Sequence, residues 1–267
     1  MIDKYKIEQN EVINTFIITT FNDKYIFRCL DSLVKTIDRD KHRIILIEGP
    51  NQEDNNCLYE KTKDIVDVYI RTKRNYGFEK SVNMGIMMSH TPYFTIVHDD
   101  CWFIHNGWWD VIKEDLASGG ESLLMLQPQQ RNSKHTLGRD LLGNILYREP
   151  VPLPDNPTEE QYNKMLAEAT TASLGEVYCM VFKREFVDKV GYLNEKFYPL
   201  GPVDIELFYR SGVFGYRIAI SNRAIIYHEG TGASKAGESK HSFNCNGYID
   251  KEKLVKGEIE SPLIRQL

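Results

Sequence analysis

Two adjacent carboxylates, Asp99 and Asp100, follow the apolar run Tyr93-Phe94-Thr95-Ile96-Val97 with only His98 between. Acidic oxygens at the end of a buried strand are hard ligands, suited to Mg²⁺ or Mn²⁺ bridging a diphosphate. The same pair can cap a helix, and His98 can be a hydrogen-bonded structural residue as readily as a ligand. A second acidic group, Asp204 and Glu206, follows Gly201-Pro202 and Val203. Carboxylates at a helix start are favoured by the helix dipole and can act as simple caps. In the functional reading Asp204 is a general base taking the proton from an acceptor hydroxyl, while Glu206 orients acceptor or backbone groups. His228 closes an apolar run and opens Glu229-Gly230-Thr231-Gly232-Ala233-Ser234, a segment able to close over a ligand. Arg71, Lys73, Arg74 and Lys80 surround the Asn75-Tyr76-Gly77 turn and could face a diphosphate or simply be solvated. Neither of the common glycine-rich phosphate loops is present.

Alternating β-rich runs and amphipathic stretches must position these groups, the signature of βα units building a mainly parallel sheet. Thr15 to Thr20 predicts a strand ending at Asn22-Asp23, and Ile26, Leu30, Leu33, Val34 and Ile37 form the apolar face of a helix. Further strands are expected at Ile44 to Ile47, Val66 to Ile70, Tyr93 to Val97, Leu123 to Leu126 and Val177 to Phe182, and in two pieces at Tyr216 to Ile220 and Ala224 to Tyr227. Helices are expected at Glu79 to Ser89, Trp108 to Ala117, Thr158 to Ala169 and Asp204 to Arg210. In open α/β sheets ligands bind beyond the carboxyl ends of the strands, which puts the chemistry at the Val97 to Asp100 junction. The proline-bearing stretch 127–157 reads as a long excursion of the lid or binding-loop kind. The organisation expected is a nucleotide-binding half over 1–126, an acceptor-side half of the same domain over 127–230, and a mobile tail over 231–267.

The formal charge of −5 in 267 residues offers no basic field, so stable nucleic-acid binding is not expected. No apolar run has the length of a membrane span, and Met1 to Val12 lacks the apolar core of a signal peptide. Cys29, Cys57, Cys101, Cys179 and Cys245 are odd in number and scattered, which predicts reduced thiols and a cytoplasmic protein.

Taken in order, these pieces resemble the family-2 glycosyltransferases of the GT-A fold, especially the rhamnosyltransferase-like branch. The run Thr19-Thr20-Phe21-Asn22-Asp23 with Arg28-Cys29-Leu30-Asp31-Ser32-Leu33 looks like the first βα unit, which holds the nucleoside. Glu48 stands where the family has an acid contacting base or ribose. The run from Asn75 to Gly85, with Gly77, Lys80 and Asn83, is similar to the segment beside the donor. His98-Asp99-Asp100 falls on the Asp-x-Asp position, with His98 in place of the first acid and Asp100 matching the metal ligand. Val203 to Arg210 resembles the E-D-x-D-L-x-x-R block, in which Asp204 matches the catalytic base. The run from His228 to Ser234 looks like a segment whose histidine approaches the metal or diphosphate.

The resemblance implies transfer of a sugar, with inversion, from a UDP-, GDP- or dTDP-type donor to an acceptor hydroxyl, a saccharide first among the candidates. The implied metal ligands are Asp100, His98 and His228, holding Mn²⁺ or Mg²⁺. The donor residues are Thr19, Thr20, Glu48, Asn75, Gly77, Lys80, Asn83 and Asp99, and Glu206 and Trp108 stand on the acceptor side. Two rival readings are a sugar-binding module that has lost catalysis and a glycoside hydrolase using the two acidic groups as its carboxylate pair.

Overall fold

The computed structural model describes residues 12–21, 23–50, 57–131, 136–139, 145–148, 177–195, 203, 207, 210–211 and 214–229. The helix expected at 158–169, the tail 231–267, and Asp204 and Glu206 lie outside them.

Four βα-type strands open the chain: β1 (Asn14–Thr20), β2 (His42–Glu48), β3 (Val68–Arg71) and β4 (Tyr93–His98). Each of the first three pairings, β1 with β2, β1 with β4 and β2 with β3, is parallel. Helices α1 (Ile26–Thr36), α2 (Cys57–Thr62) and α3 (Phe78–Met88) make the crossovers that parallel strands require. A short strand β5 (Cys101–Phe103), helix α4 (Trp108–Ser118) and strand β6 (Leu123–Arg131) follow, then a two-stranded hairpin of β7 (Thr136–Arg139) and β8 (Ile145–Arg148). Strand β9 (Cys179–Lys183), helix α5 (Glu185–Lys189) and strand β10 (Arg217–His228) complete the described part. The main sheet has eight strands in the order β3-β2-β1-β4-β9-β6-β10-β5. Strand β9 is antiparallel to both neighbours, and β6 and β10 are parallel to each other.

Successive side chains of a strand point to opposite faces, and β1 divides its apolar residues accordingly. Phe16 and Ile18 enter a core with Leu30 and Leu33 of α1 and Trp108, Ile112 and Leu116 of α4. Ile17 enters the opposite core with Val82 and Ile86 of α3 and Phe186 of α5. Helix α3 comes so close to β1 that a Cβ on Gly85 would lie 2.4 Å from Ile17 Cγ2, so only glycine fits there.

The stretch 127–157, expected to be an excursion, is in part regular structure. Strand β6 runs on through Arg131, and β7 and β8 pair within the same stretch. Pro128 is tolerated in β6 because β9 pairs only with Met125 and Leu126, leaving β10 as the partner beyond that point. The two strands expected over 216–227 are one. Its register against β6 shifts between Ser221 and Ile225, where Ser221 Oγ accepts from the backbone N–H groups of Arg223 and Ala224, both at 3.2 Å.

His42 has a consequence for stability. It is 2% exposed, with the ring centroids of Trp109 and Phe16 at 5.2 Å and 5.5 Å from its own, and its Nδ1 has no partner among the described residues. Burial above all pushes its pKa down to about 4, against an opposing Asp38 charge. The unfolded chain therefore binds a proton between about pH 6.5 and 4 that the folded chain refuses, so stability is complete above about 6.5 and falls as the pH drops through that window. Between pH 7.5 and 5, denaturant unfolding of the wild type should lose about 2 kcal/mol more than unfolding of His42→Phe. Equal losses in the two proteins would show that His42 is not the group responsible.

Candidate functional site

Parallel registers align the carboxyl ends of the first four strands. Thr19 lies opposite His98, Thr20 opposite Glu48, and Glu48 opposite Arg71. The chain then turns through Asp99 and Asp100 into β5, which pairs antiparallel with β10 and sets Cys101 opposite His228. The backbone N–H of Glu229 donates to the carbonyl of Asp100 at 3.0 Å, closing this corner. Residues far apart in the chain, Cys101 with His228 and Asp100 with Glu229, are thereby joined at one edge of the sheet.

His98, Asp100 and His228 meet there. One potential ligand atom from each lies within 4.8 Å of the others, and His228 Nε2 stands 3.1 Å from Asp100 Oδ1. Asp100 is 2% exposed and His228 8%. Tyr178 stacks on His228 at 4.5 Å, and the Phe78 ring meets His98 edge-on at 5.0 Å. Burial pushes the His98 pKa down to about 4 against the Asp100 charge, so its ring is neutral and keeps a free lone pair at neutral pH. Burial also acts on Asp100, but the hydrogen bond and charge of His228, joined by His98, outweigh it and hold that carboxyl below its usual value. Two imidazoles and one carboxylate, converging with Asp100 and His228 buried and His98 half-buried, are a donor set that fits a divalent cation.

Asp99 does different work. Its Oδ2 accepts from the Thr20 hydroxyl at 2.5 Å, and burial, with Asp100 adding to it, pushes its pKa up to about 7. Glu48, 3% exposed, accepts from the Tyr69 hydroxyl and lies 3.3 Å from Arg71 Nε. Thr20 and Glu48, both buried, and the half-buried Asp99 thus form a row of polar groups leading to the three-residue cluster. Thr19 is 8% exposed in the same row. Asn75 Oδ1 accepts from the Gly77 N–H at 2.8 Å, an Asx turn that leads into α3 with Gly77 at φ 80°. Lys80 reaches toward Glu195, 3.7 Å away, with Tyr76 beneath it.

Two residues expected at the site are elsewhere. Trp108, expected on the acceptor side, is fully buried between Phe16 and Phe103, and its indole N–H donates to Thr36 Oγ1 at 3.3 Å. It opens α4 on the face that carries Ile112 and Leu116, so it is a core residue. Asn83, expected beside the donor, is 2% exposed and spends both ends of its amide on Leu193, donating to its carbonyl at 2.9 Å and accepting from its N–H at 3.0 Å. It fastens the segment after α5 to α3. Conversely, Gln130, Tyr178 and Phe78 touch the converging histidines, and Tyr69 touches Glu48, without having been singled out. Of these only Phe78, beside the Asn75-Tyr76-Gly77 turn, carried a signal in the chain.

A family profile described as Glycosyl transferase family 2 matches residues 15–191. A hyaluronan synthase of Pasteurella multocida is 23% identical over 249 residues, which is 84% of this chain and 25% of that protein. Among solved structures, GalNAc-T7 with UDP, GalNAc and Mn²⁺ superposes with a TM-score of 0.61 at 13% identity, over 82% of this chain and 44% of that one. The mannosyltransferase PcManGT of Pyrobaculum calidifontis, in complex with GDP-Man and Mn²⁺, gives 0.56 at 14% identity, over 80% and 56%. Residues 1–349 of S. aureus TarS in complex with UDP give 0.55 at 13% identity, over 80% and 60%. The chain thus spans a quarter of the curated relative and about half of these structural neighbours, whose likeness shows the GT-A fold.

Proposed function

The chain belongs to glycosyl transferase family 2, and on that premise we propose that it moves a sugar from a nucleotide-diphosphate donor to an acceptor hydroxyl, with inversion at the anomeric carbon. The observation that carries the reading is the convergence of His98, Asp100 and His228 at the end of the row formed by Thr20, Glu48 and Asp99. A nucleoside lies along that row, with Glu48 and Arg71 offering an acceptor and a donor to base or ribose. Asn75, Gly77 and Lys80, at the start of α3, serve the diphosphate side. His98, Asp100 and His228 would hold Mn²⁺ or Mg²⁺, and a divalent ion there would neutralise the charge growing on the departing nucleoside diphosphate. Asp204 takes the proton of the incoming hydroxyl and Glu206 orients the acceptor. UDP, GDP-Man and Mn²⁺ in structures of similar fold support this choice of partners. The free thiols Cys29, Cys101 and Cys179, all buried, suit a reducing, cytoplasmic setting.

The test is release of nucleoside diphosphate from a panel of UDP-, GDP- and dTDP-sugars with Mn²⁺ or Mg²⁺ and a saccharide acceptor series. One donor should turn over, and chelation by EDTA should slow it by at least about 100-fold. Full activity in EDTA would remove the metal, and donor binding without any release would favour the non-catalytic reading.

A further inference from the structure

We infer that Gln130 is a positioning residue for His228, fixing the plane of the imidazole and selecting, by the way its amide faces, which ring nitrogen carries the proton. The inference rests on the cation-holding reading of His98, Asp100 and His228. Gln130 lies near the carboxyl end of β6, 6% exposed, with its Nε2 3.1 Å from His228 Nδ1. The register between β6 and β10, resumed beyond the irregularity at Ser221, sets Gln130 opposite Ile226 and so within reach of the ring two residues on. An amide buried this far is costly unless hydrogen-bonded, and among the described residues the imidazole is its partner. Tyr178 covers one face of the same ring at an interplanar angle of 13°. Stacking therefore sets the plane, and the two edge contacts set the rotation within it.

The two edges are chemically opposed. With the amide N–H donating to Nδ1, a neutral ring carries its proton on Nε2, aimed at Asp100 Oδ1 3.1 Å away. A cation bound at Nε2 needs that lone pair, so the proton must sit on Nδ1 and be accepted from outside. A half-turn of the Gln130 amide about its last torsion puts Oε1 where Nε2 stands and supplies that acceptor. A glutamine serves both arrangements, a glutamate only the cation-bound one, and a methionine of similar length neither.

Mn²⁺ binding to the full chain, followed by loss of the free-ion EPR signal, is compared for wild type, Gln130→Met and Gln130→Glu. The His228 ring nitrogens are read by ¹⁵N NMR without metal and with Zn²⁺. Gln130→Met should weaken Mn²⁺ binding by about 10- to 100-fold, the range found when the outer partner of a metal-bound histidine is removed. Gln130→Glu should restore most of it, and in the wild type the ring proton should move from Nε2 to Nδ1 when Zn²⁺ binds. Wild-type affinity in Gln130→Met, a glutamate variant as weak as the methionine one, or a proton already on Nδ1 without metal would each overturn the inference. Should Gln130→Met not fold, the glutamate variant and the wild-type spectra decide. Nucleoside diphosphate release with no measurable Mn²⁺ binding would defeat this inference while leaving sugar transfer standing.

Discussion

Asp100→Asn is expected to slow sugar transfer by about 10²- to 10³-fold and to abolish measurable Mn²⁺ binding while the protein stays folded. Asp100 supplies the single carboxylate of the three converging donors, and it is 2% exposed with His228 Nε2 3.1 Å from its Oδ1. Asparagine keeps the volume and can still hydrogen-bond His228, so the corner formed by Asp100, β5 and β10 has no steric reason to open. What disappears is a full negative charge in a shielded place, where no water can replace it. The neighbouring change, Asp99→Asn, is the internal comparison. Asp99 accepts a hydrogen bond from Thr20 and is not among the three donors, so its loss should cost about 10-fold or less, the worth of one hydrogen bond. Transfer rates and Mn²⁺ titrations on both variants decide the matter. Equal effects at positions 99 and 100 would mean that the pair acts as a general acidic patch and that Asp100 holds no privileged position.

The ligand set of His98, Asp100 and His228 comes from the family resemblance, and the way parallel sheets gather residues at strand ends gives a physical reason for their convergence. Buried parallel strands are near-continuous apolar runs, so the residue at which the run stops marks the sheet edge, and His98 and His228 both stop such runs. Residues whose roles depend on a partner far along the chain were not legible in this way. Gln130 is 98 residues from His228 and sits in a stretch whose prolines suggest a loop, whereas Pro128 is accommodated by the one-sided pairing of β6. Strand β5, with three residues, is too short to show a period of two, yet it is the pairing that brings His228 to Asp100. Trp108 misled because an aromatic at a helix start can face a ligand or a core, and only the packing of Phe16 and Phe103 against it chooses the core. Asn83 misled for a related reason. Its side chain is polar and sits in the run read as flanking the donor, but its amide is committed to Leu193 at both ends and to Glu195 besides.

Asp204→Asn should separate chemistry from binding. We propose Asp204 as the base, and its replacement should lower turnover by about 10² to 10⁴ with the affinity for donor and Mn²⁺ unchanged. The described positions of this segment are seated in the core. Val203 and Leu207 are buried at 5% and 0%, and Arg210 is buried with its guanidinium donating to the carbonyls of Val190 at 2.7 Å and Tyr192 at 2.8 Å. Positions 203, 207 and 210 follow the spacing of one helix face, so that face is anchored in the core. The segment these carbonyls belong to continues to Leu193, which Asn83 fastens to α3 from the other side. Helix α3, residues 190–193 and Arg210 are in this way tied through one buried relay of polar contacts. Asparagine at 204 keeps the shape but cannot take a proton, so kcat should fall while the donor KM holds, and the rise of kcat with pH that reports the base should vanish with it. Near-normal kcat in this variant would take the base role from Asp204 and leave the cation cluster untouched.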